Sequence, residues 1–129
     1  MPEQRTRATL PSGLRTWFII HFAVDMIVGI PLILFPYRFL GLLGLTAVED
    51  VTARLVGAAL IAIGGVSLIA RDGDRSSYRS LLNLKIIWAA TAMLSFVISA
   101  FSGAPKVVWL FFAAFAVFFV VWVHYRRKI

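Results

Sequence analysis

The stretch Trp17-Phe-Ile-Ile-His-Phe-Ala-Val-Asp-Met-Ile-Val-Gly-Ile-Pro-Leu-Ile-Leu-Phe35 decides the fold. It is close to the roughly 20 apolar residues that a helix needs to cross about 30 Å of hydrocarbon. Only His21 and Asp25 interrupt it with polar groups, and Pro31 predicts a bend. Arginines precede it, as in a signal peptide, but no Ala-x-Ala-like cleavage site is evident and further apolar segments follow. We therefore expect an uncleaved transmembrane helix.

The rest of the chain has the same apolar character. Hydrophobic residues make up 60% of the 129 residues and charged residues only 15%, with a mean hydropathy of +0.88. Three more segments are long enough to cross a bilayer, and short polar connections separate them. We predict an all-α membrane protein, a four-transmembrane-helix bundle in a single domain (1–129). The predicted spans lie at about 16–35, 48–70, 78–101 and 105–125.

The first connection carries its own local signals. Pro36 is expected to break the first helix, and the glycine-rich segment 39–45 is too short to cross alone, which predicts an interfacial loop or a short surface helix. Thr46 and Glu49 have the spacing of a capping box, so the second helix is expected to start near Ala47.

The later connections are short turns. Gly73, in the polar hairpin 71–77, suits a helix C-terminus, and the third helix is expected to start at about Tyr78. Pro105 suits the first position of the last helix, which we expect to run to Tyr125.

The distribution of basic residues predicts the orientation. With four spans, one side would carry nine of the 13 Lys and Arg residues: Arg5, Arg7, Arg15, Arg71, Arg75, Arg79, Arg126, Arg127 and Lys128. The other side would carry only Arg38, Lys106 and Arg54. The positive-inside rule therefore predicts that both termini are cytoplasmic, in the cytoplasmic membrane. Aromatic residues near the span ends predict an inner belt of Trp17, Tyr78, Trp122 and Tyr125 and an outer belt of Tyr37 and Trp109.

Several function classes are excluded or weakened by composition. The absence of cysteine excludes disulfides, thiolate chemistry and Cys-type metal sites. The net charge of +7 flanks apolar segments, which favours contact with lipid headgroups over nucleic acid. We find no phosphate-binding loop, Ser/His/Asp constellation or metalloprotease motif, so no catalytic residue, metal or cofactor is predicted, and an enzyme is the weakest hypothesis.

Asp25 is the most informative residue, because its position places a carboxyl group near the middle of the bilayer. Ionic burial at that depth costs several kcal/mol, so the group must be paired, protonated or beside water. His21, one turn earlier on the same face, is its nearest local partner. Arg54 follows Asp50 by four residues and can pair with it.

Two interpretations of the intramembrane polar residues stay open. In the first, they form a ligand- or ion-binding cluster whose members are His21, Asp25, Arg54 and Lys85, with Trp88, Thr91 and Ser95 lining a cavity. In the second, a buried ion pair only fixes how the helices assemble. Small residues in the second span, namely Ala53, Gly57, Gly64 and Ser67, predict a stripe where another backbone can approach closely.

Four local features can be compared with known families: the Gly29-x-Pro31 and Phe35-Pro36 end of the first helix, the Arg54-Leu-Val-Gly57 start of the second, its Gly64-Gly65 pair and the arginine-bearing hairpin. In these features the chain resembles the small DoxX-like four-helix membrane proteins. The resemblance implies a four-helix bundle. Some relatives are described as accessory subunits of quinone-linked oxidases. No catalytic residue follows from the resemblance.

Two functional hypotheses follow. In the first, the chain is a noncatalytic subunit or binding module that holds a partner helix, or a small apolar or lipid-like molecule, near His21 and Asp25. In the second, it is a proton- or cation-linked transporter or channel using Asp25. Because four short helices enclose little pathway, that second hypothesis requires a homo-oligomer. Expected partners are thus the lipid bilayer, further copies or a larger membrane complex, and a small apolar or lipid ligand.

Overall fold

The computed structural model describes residues 10–129, and over that range all regular secondary structure is helical. The helices are α1 (Leu14–Leu34), α2 (Pro36–Leu42), α3 (Asp50–Ile69), α4 (Arg75–Phe101) and α5 (Val108–Lys128). All except α2 are long and apolar enough to span a membrane. The chain is therefore a multi-pass α-helical membrane protein, as predicted. The arrangement of the spans as one bundle stays a prediction, and Arg5 and Arg7 lie outside the described residues.

The first connection contains a short helix that begins at Pro36, before the predicted segment 39–45. Only Phe35 separates α1 from α2, and Pro36 opens α2 because a proline loses no hydrogen bond at the first position of a helix. The segment predicted as an interfacial loop or surface helix is thus a short helix. It is followed by Gly44, which takes a left-handed backbone conformation at φ 82°.

Helix α3 begins at Asp50, so the predicted start near Ala47 is wrong. The carboxylate of Glu49 accepts hydrogen bonds from the backbone amides of Val51 (3.1 Å) and Thr52 (2.6 Å). Glu49 therefore acts as the N-cap itself, and the capping box that starts at Thr46 does not form.

The predicted ends of the first three spans agree with the structure to within one residue, whereas the starts of the last two are displaced by about one turn. Asp74 caps α4 by accepting a hydrogen bond from the Ser77 amide (2.8 Å), which starts the helix at Arg75 and not at Tyr78. Gly73 does not end α3 with a left-handed residue, since the last turn closes at Ala70. The carbonyl of Pro105 accepts from the Val108 amide (3.1 Å), so this proline lies in a turn before α5.

The chain divides into two compact units. The N-terminal unit (residues 15–72) contains α1, α2 and α3, and the C-terminal unit (residues 73–129, with residues 10–14) contains α4 and α5. In the N-terminal unit, α1 and α3 are antiparallel and touch through Gly29 and Gly57. A Cβ on Gly57 would lie 2.8 Å from the Gly29 carbonyl oxygen, so a glycine is needed for this close approach.

In the C-terminal unit, aromatic rings join α4 to α5. Phe96 contacts Phe111 and Phe115 at centroid distances of 5.8 and 5.5 Å, and Trp88 contacts Phe115 at 6.1 Å. These separations are typical of tilted and edge-to-face aromatic pairs. The rings therefore hold the two antiparallel helices together along much of their length.

Candidate functional site

The centre of the N-terminal unit is a buried pair of titratable side chains on α1. The Nδ1 atom of His21 lies 3.2 Å from the Oδ2 atom of Asp25, and the two side chains are only 6% and 5% exposed. The helix spacing predicted this local partner, and the contact confirms it. A dipolar or charged imidazole beside the carboxyl offsets part of the cost of holding Asp25 in hydrocarbon.

Gly64 on α3 makes room for the Asp25 carboxyl group. A Cβ at Gly64 would lie 2.6 Å from the Cβ of Asp25 and 3.0 Å from its Oδ2. The predicted small-residue stripe is buried at all of its members, Ala53, Gly57, Gly64 and Ser67. Because Gly57 and Gly64 are in contact with α1 of the same chain, these two positions do not offer a free surface to a second copy.

Arg54 is bound elsewhere in the N-terminal unit. Its Nε donates to Asp50 Oδ2 at 3.0 Å, which confirms the predicted i, i+4 pair, and its Nη1 donates to the carbonyl oxygen of Ile33. Ile33 lies two helical turns past Asp25, about 12 Å along the helix axis. The prediction that Arg54 belongs to the His21–Asp25 group is therefore wrong. Arg54 satisfies a carbonyl at the end of α1, where no further helical amide is available.

Lys85 is the buried cation of the C-terminal unit. The residue is 1% exposed, and its Nζ lies 5.0 Å from the centre of the Trp122 ring, within the range of a cation–π interaction. The ring of Phe118 also stacks on Trp122, at a centroid distance of 5.7 Å. The sequence placed Lys85 in the polar cluster but did not predict its aromatic support.

The predicted inner aromatic belt is wrong for several of its members. Tyr78, Trp122 and Tyr125 are buried, and the Tyr125 hydroxyl donates to the carbonyl of Ser12 at 3.2 Å. They are therefore packing residues and do not face lipid. Tyr37 and Trp109, assigned to the outer belt, are 58% and 47% exposed, as a lipid-facing position requires.

The polar side chains further along α4 differ from one another. The indole N–H of Trp88 is buried and has no hydrogen-bond acceptor among the described residues. Thr91 and Ser95 are exposed, and their hydroxyls donate to the carbonyls of Ile87 (2.8 Å) and Thr91 (2.9 Å) within their own helix. The expectation that the hydroxyls of Thr91 and Ser95 face the interior is therefore wrong for a single copy of the chain.

The candidate residues thus fall into both units. His21, Asp25 and Arg54 belong to the N-terminal unit, whereas Lys85, Trp88, Thr91 and Ser95 belong to the C-terminal unit. Their assembly into one cluster stays a prediction. Among residues 10–129, no three His, Asp or Glu side chains converge as metal ligands would.

A shallow groove along one face of α5 was not predicted from the sequence. It is an open depression of about 410 Å³, and the described residues that border it all lie on α5: Phe119, Val120, Val123, His124, Arg127 and Lys128. These positions follow each other at the i, i+4 and i, i+8 spacings of one helix face. The change from apolar to basic residues along that face was the signal that could have found it.

The fold and the buried titratable groups define a class: small multi-pass α-helical membrane proteins with ionisable side chains inside the helices. No family model, curated protein or solved structure that we compared with the chain matches it. The resemblance to the DoxX-like proteins therefore stays a prediction.

Proposed function

We propose that the chain is a noncatalytic membrane module that binds a partner helix or a small apolar or lipid-like molecule near His21 and Asp25. One observation carries this proposal: a carboxyl group is buried near the middle of α1, beside an imidazole and against Gly64. A helix that served only as an anchor would gain nothing from a carboxyl group there. Intramembrane ionisable groups are rare and are usually functional.

Trp88, in the C-terminal unit, is a separate observation that favours a small-molecule ligand. A buried donor without an acceptor costs about 1–3 kcal/mol, and a carbonyl or ether oxygen on an otherwise apolar molecule would relieve that cost. A ligand beside Trp88 would therefore be an apolar molecule with at least one hydrogen-bond acceptor. An accessory-subunit role, implied by the resemblance to the DoxX-like proteins, is compatible with the same proposal.

The substitution Asp25→Asn tests the proposal, because it removes the ionisable group at nearly constant volume and leaves the packing on Gly64 intact. We expect the amount of co-purifying protein or extracted small molecule, quantified by mass spectrometry, to fall at least about fivefold, which corresponds to ~1 kcal/mol. Asp50→Asn is the matched control, because that carboxylate is exposed and pairs only at the start of α3. A lower Tm with unchanged co-purification would reduce Asp25 to a structural ion pair.

The His21–Asp25 contact favours one second candidate, an oligomeric proton- or cation-linked transporter or channel. Two titratable side chains 3.2 Å apart can hold a proton or a small cation between them. The same Asp25→Asn protein, reconstituted in liposomes, separates this candidate from the first. It requires flux in the wild type that the substitution abolishes, and wild-type liposomes that pass neither protons nor small cations would exclude it.

We also propose that the protein lies in the cytoplasmic membrane with both termini inside. The concentration of basic residues on one set of connections supports this orientation. In the described part of the chain, those residues include Arg71 and Arg75 near the hairpin before α4 and Arg126–Lys128 at the end of α5.

A further inference from the structure

The groove on α5 combines two kinds of surface in a fixed order. Its apolar wall, formed by Phe119, Val120 and Val123, comes first along the helix. One to two turns later, where α5 ends, the walls are polar and basic. At 1.5 Å per residue, the two halves of the groove are separated by about 6–12 Å along the axis. This order matches the depth profile of a bilayer leaflet, from acyl chain to headgroup.

The basic residues of the groove differ from their neighbour Arg126. Within residues 10–129, the side chains of Arg127 and Lys128 have no hydrogen-bond or ion-pair partner, and both are exposed. In contrast, Arg126 Nε donates to Asn83 Oδ1 at 2.7 Å and is not part of the groove. Arg126 keeps its charge but is held by Asn83, so Arg127 and Lys128 are the basic side chains of this segment that border the groove.

We propose that this groove is a binding site for one anionic phospholipid. Arg127 and Lys128 hold the phosphate, which carries the negative charge of the lipid, and a ring N–H of His124 donates to a phosphate oxygen. An acyl chain lies along Phe119, Val120 and Val123. The occupant follows from charge complementarity together with the apolar wall. A free anion would leave that wall uncovered, and a zwitterionic lipid would bring its headgroup cation beside two basic side chains.

Native mass spectrometry of the full chain, released from detergent in the presence of phosphatidylglycerol or phosphatidylcholine, tests the site. We expect the wild type to retain one phosphatidylglycerol molecule and to retain phosphatidylcholine several-fold less. Arg127→Gln combined with Lys128→Gln should raise the Kd for phosphatidylglycerol about tenfold or more, since each basic side chain near a lipid surface contributes to attraction. Glycerophosphoglycerol, the headgroup without acyl chains, and inorganic phosphate should fail to displace the lipid at millimolar concentration.

Two matched controls separate a built site from general attraction. Arg126→Gln removes one charge from the same segment but outside the groove, and it should change the Kd less than twofold. For the apolar wall, Val120→Trp should reduce phosphatidylglycerol retention at least fivefold by filling the groove. Val117→Trp, on the same helix, outside the groove and similarly exposed (57% against 66%), should have no effect.

The results that overturn the proposal are specific. Arg126→Gln could weaken phosphatidylglycerol binding as much as Arg127→Gln or Lys128→Gln does alone. That result would mean that the end of α5 attracts lipid only through its summed charge. Equal retention of the two lipids would remove the anionic selectivity, and displacement by inorganic phosphate would indicate an anion site without a lipid. Equal effects of Val120→Trp and Val117→Trp would remove the acyl-chain contact.

Discussion

Gly64 and Asp25 show how the absence of one methyl group determines where a buried carboxyl group can lie. The carboxyl of Asp25 occupies the space that any side chain at Gly64 would need, since an added Cβ would fall 2.6 Å from the Asp25 Cβ. The neighbouring Gly65 has no atom within 4 Å of the corresponding position. Two adjacent glycines of the same helix thus have different roles: Gly64 admits the buried carboxyl group, and Gly65 has open space around it.

This difference predicts opposite results for the same substitution at adjacent positions. Gly64→Ala should lower the free energy of unfolding by about 1–3 kcal/mol, because the overpacked helix pair must separate. Gly65→Ala should leave it unchanged or raise it by up to about 1 kcal/mol through helix propensity. Denaturant titration in detergent, followed by circular dichroism, measures both. If the two variants lose equal stability, then Asp25 does not pack on Gly64 as described.

At the scale of the helix, α3 is started by a charged residue whose protonation matters. The Thr52 side chain, followed by the backbone amides of Thr52 and Val51, holds the pKa of Glu49 below its ordinary value of 4.5. Asp74, the N-cap of α4, has its pKa lowered in the same way, mainly by the backbone amide of Ser77. Both caps lie outside the spans, where water and buffer can reach them.

The cap predicts a pH dependence that is specific to Glu49. Because the pKa is lowered in the folded state, the ionised group stabilises α3 at pH values above the pKa of the unfolded state. This stabilisation is lost as the pH falls through the pKa of the folded state. Glu49→Gln should therefore lower the Tm relative to the wild type at pH 7. The difference should shrink once the pH drops below 4.5. Thermal unfolding of both proteins between pH 7 and 3 measures it, and a Tm difference that is constant with pH would contradict the assignment.

The spans and the contacts within one helix could be predicted from the sequence, whereas the buried and exposed faces of the spans could not. The four spans follow from their length, and the pairs His21–Asp25 and Asp50–Arg54 follow from the i, i+4 geometry of a helix. Which face of each span packs inside the protein cannot be predicted in this way, because lipid is as apolar as the protein interior and both accept the same side chains. For this reason Trp122 was assigned to a lipid-facing belt and Thr91 to a cavity, although the first is buried and the second exposed.

The proposed orientation of the whole molecule can be measured without disturbing native thiols, since the chain contains no cysteine. We expect Ser102→Cys, between α4 and α5, to react with a membrane-impermeant maleimide in intact cells. Ser76→Cys and Lys128→Cys should react only after the membrane is permeabilised, because the basic connections are retained in the cytoplasm. Both serines are exposed, so accessibility from the correct side is not limited by packing. The reverse labelling pattern would invert the proposed topology.

The contacts that shelter Asp25 within the N-terminal unit also have a consequence for the time course of synthesis. His21 and Gly64 both lie in the continuous segment 15–72, so these partners exist once residue 72 has been synthesised. At 5–20 residues per second, translation of residues 73–129 takes roughly 3 to 11 further seconds. The carboxyl group of Asp25 can therefore make its contacts with His21 and Gly64 before α4 and α5 are synthesised.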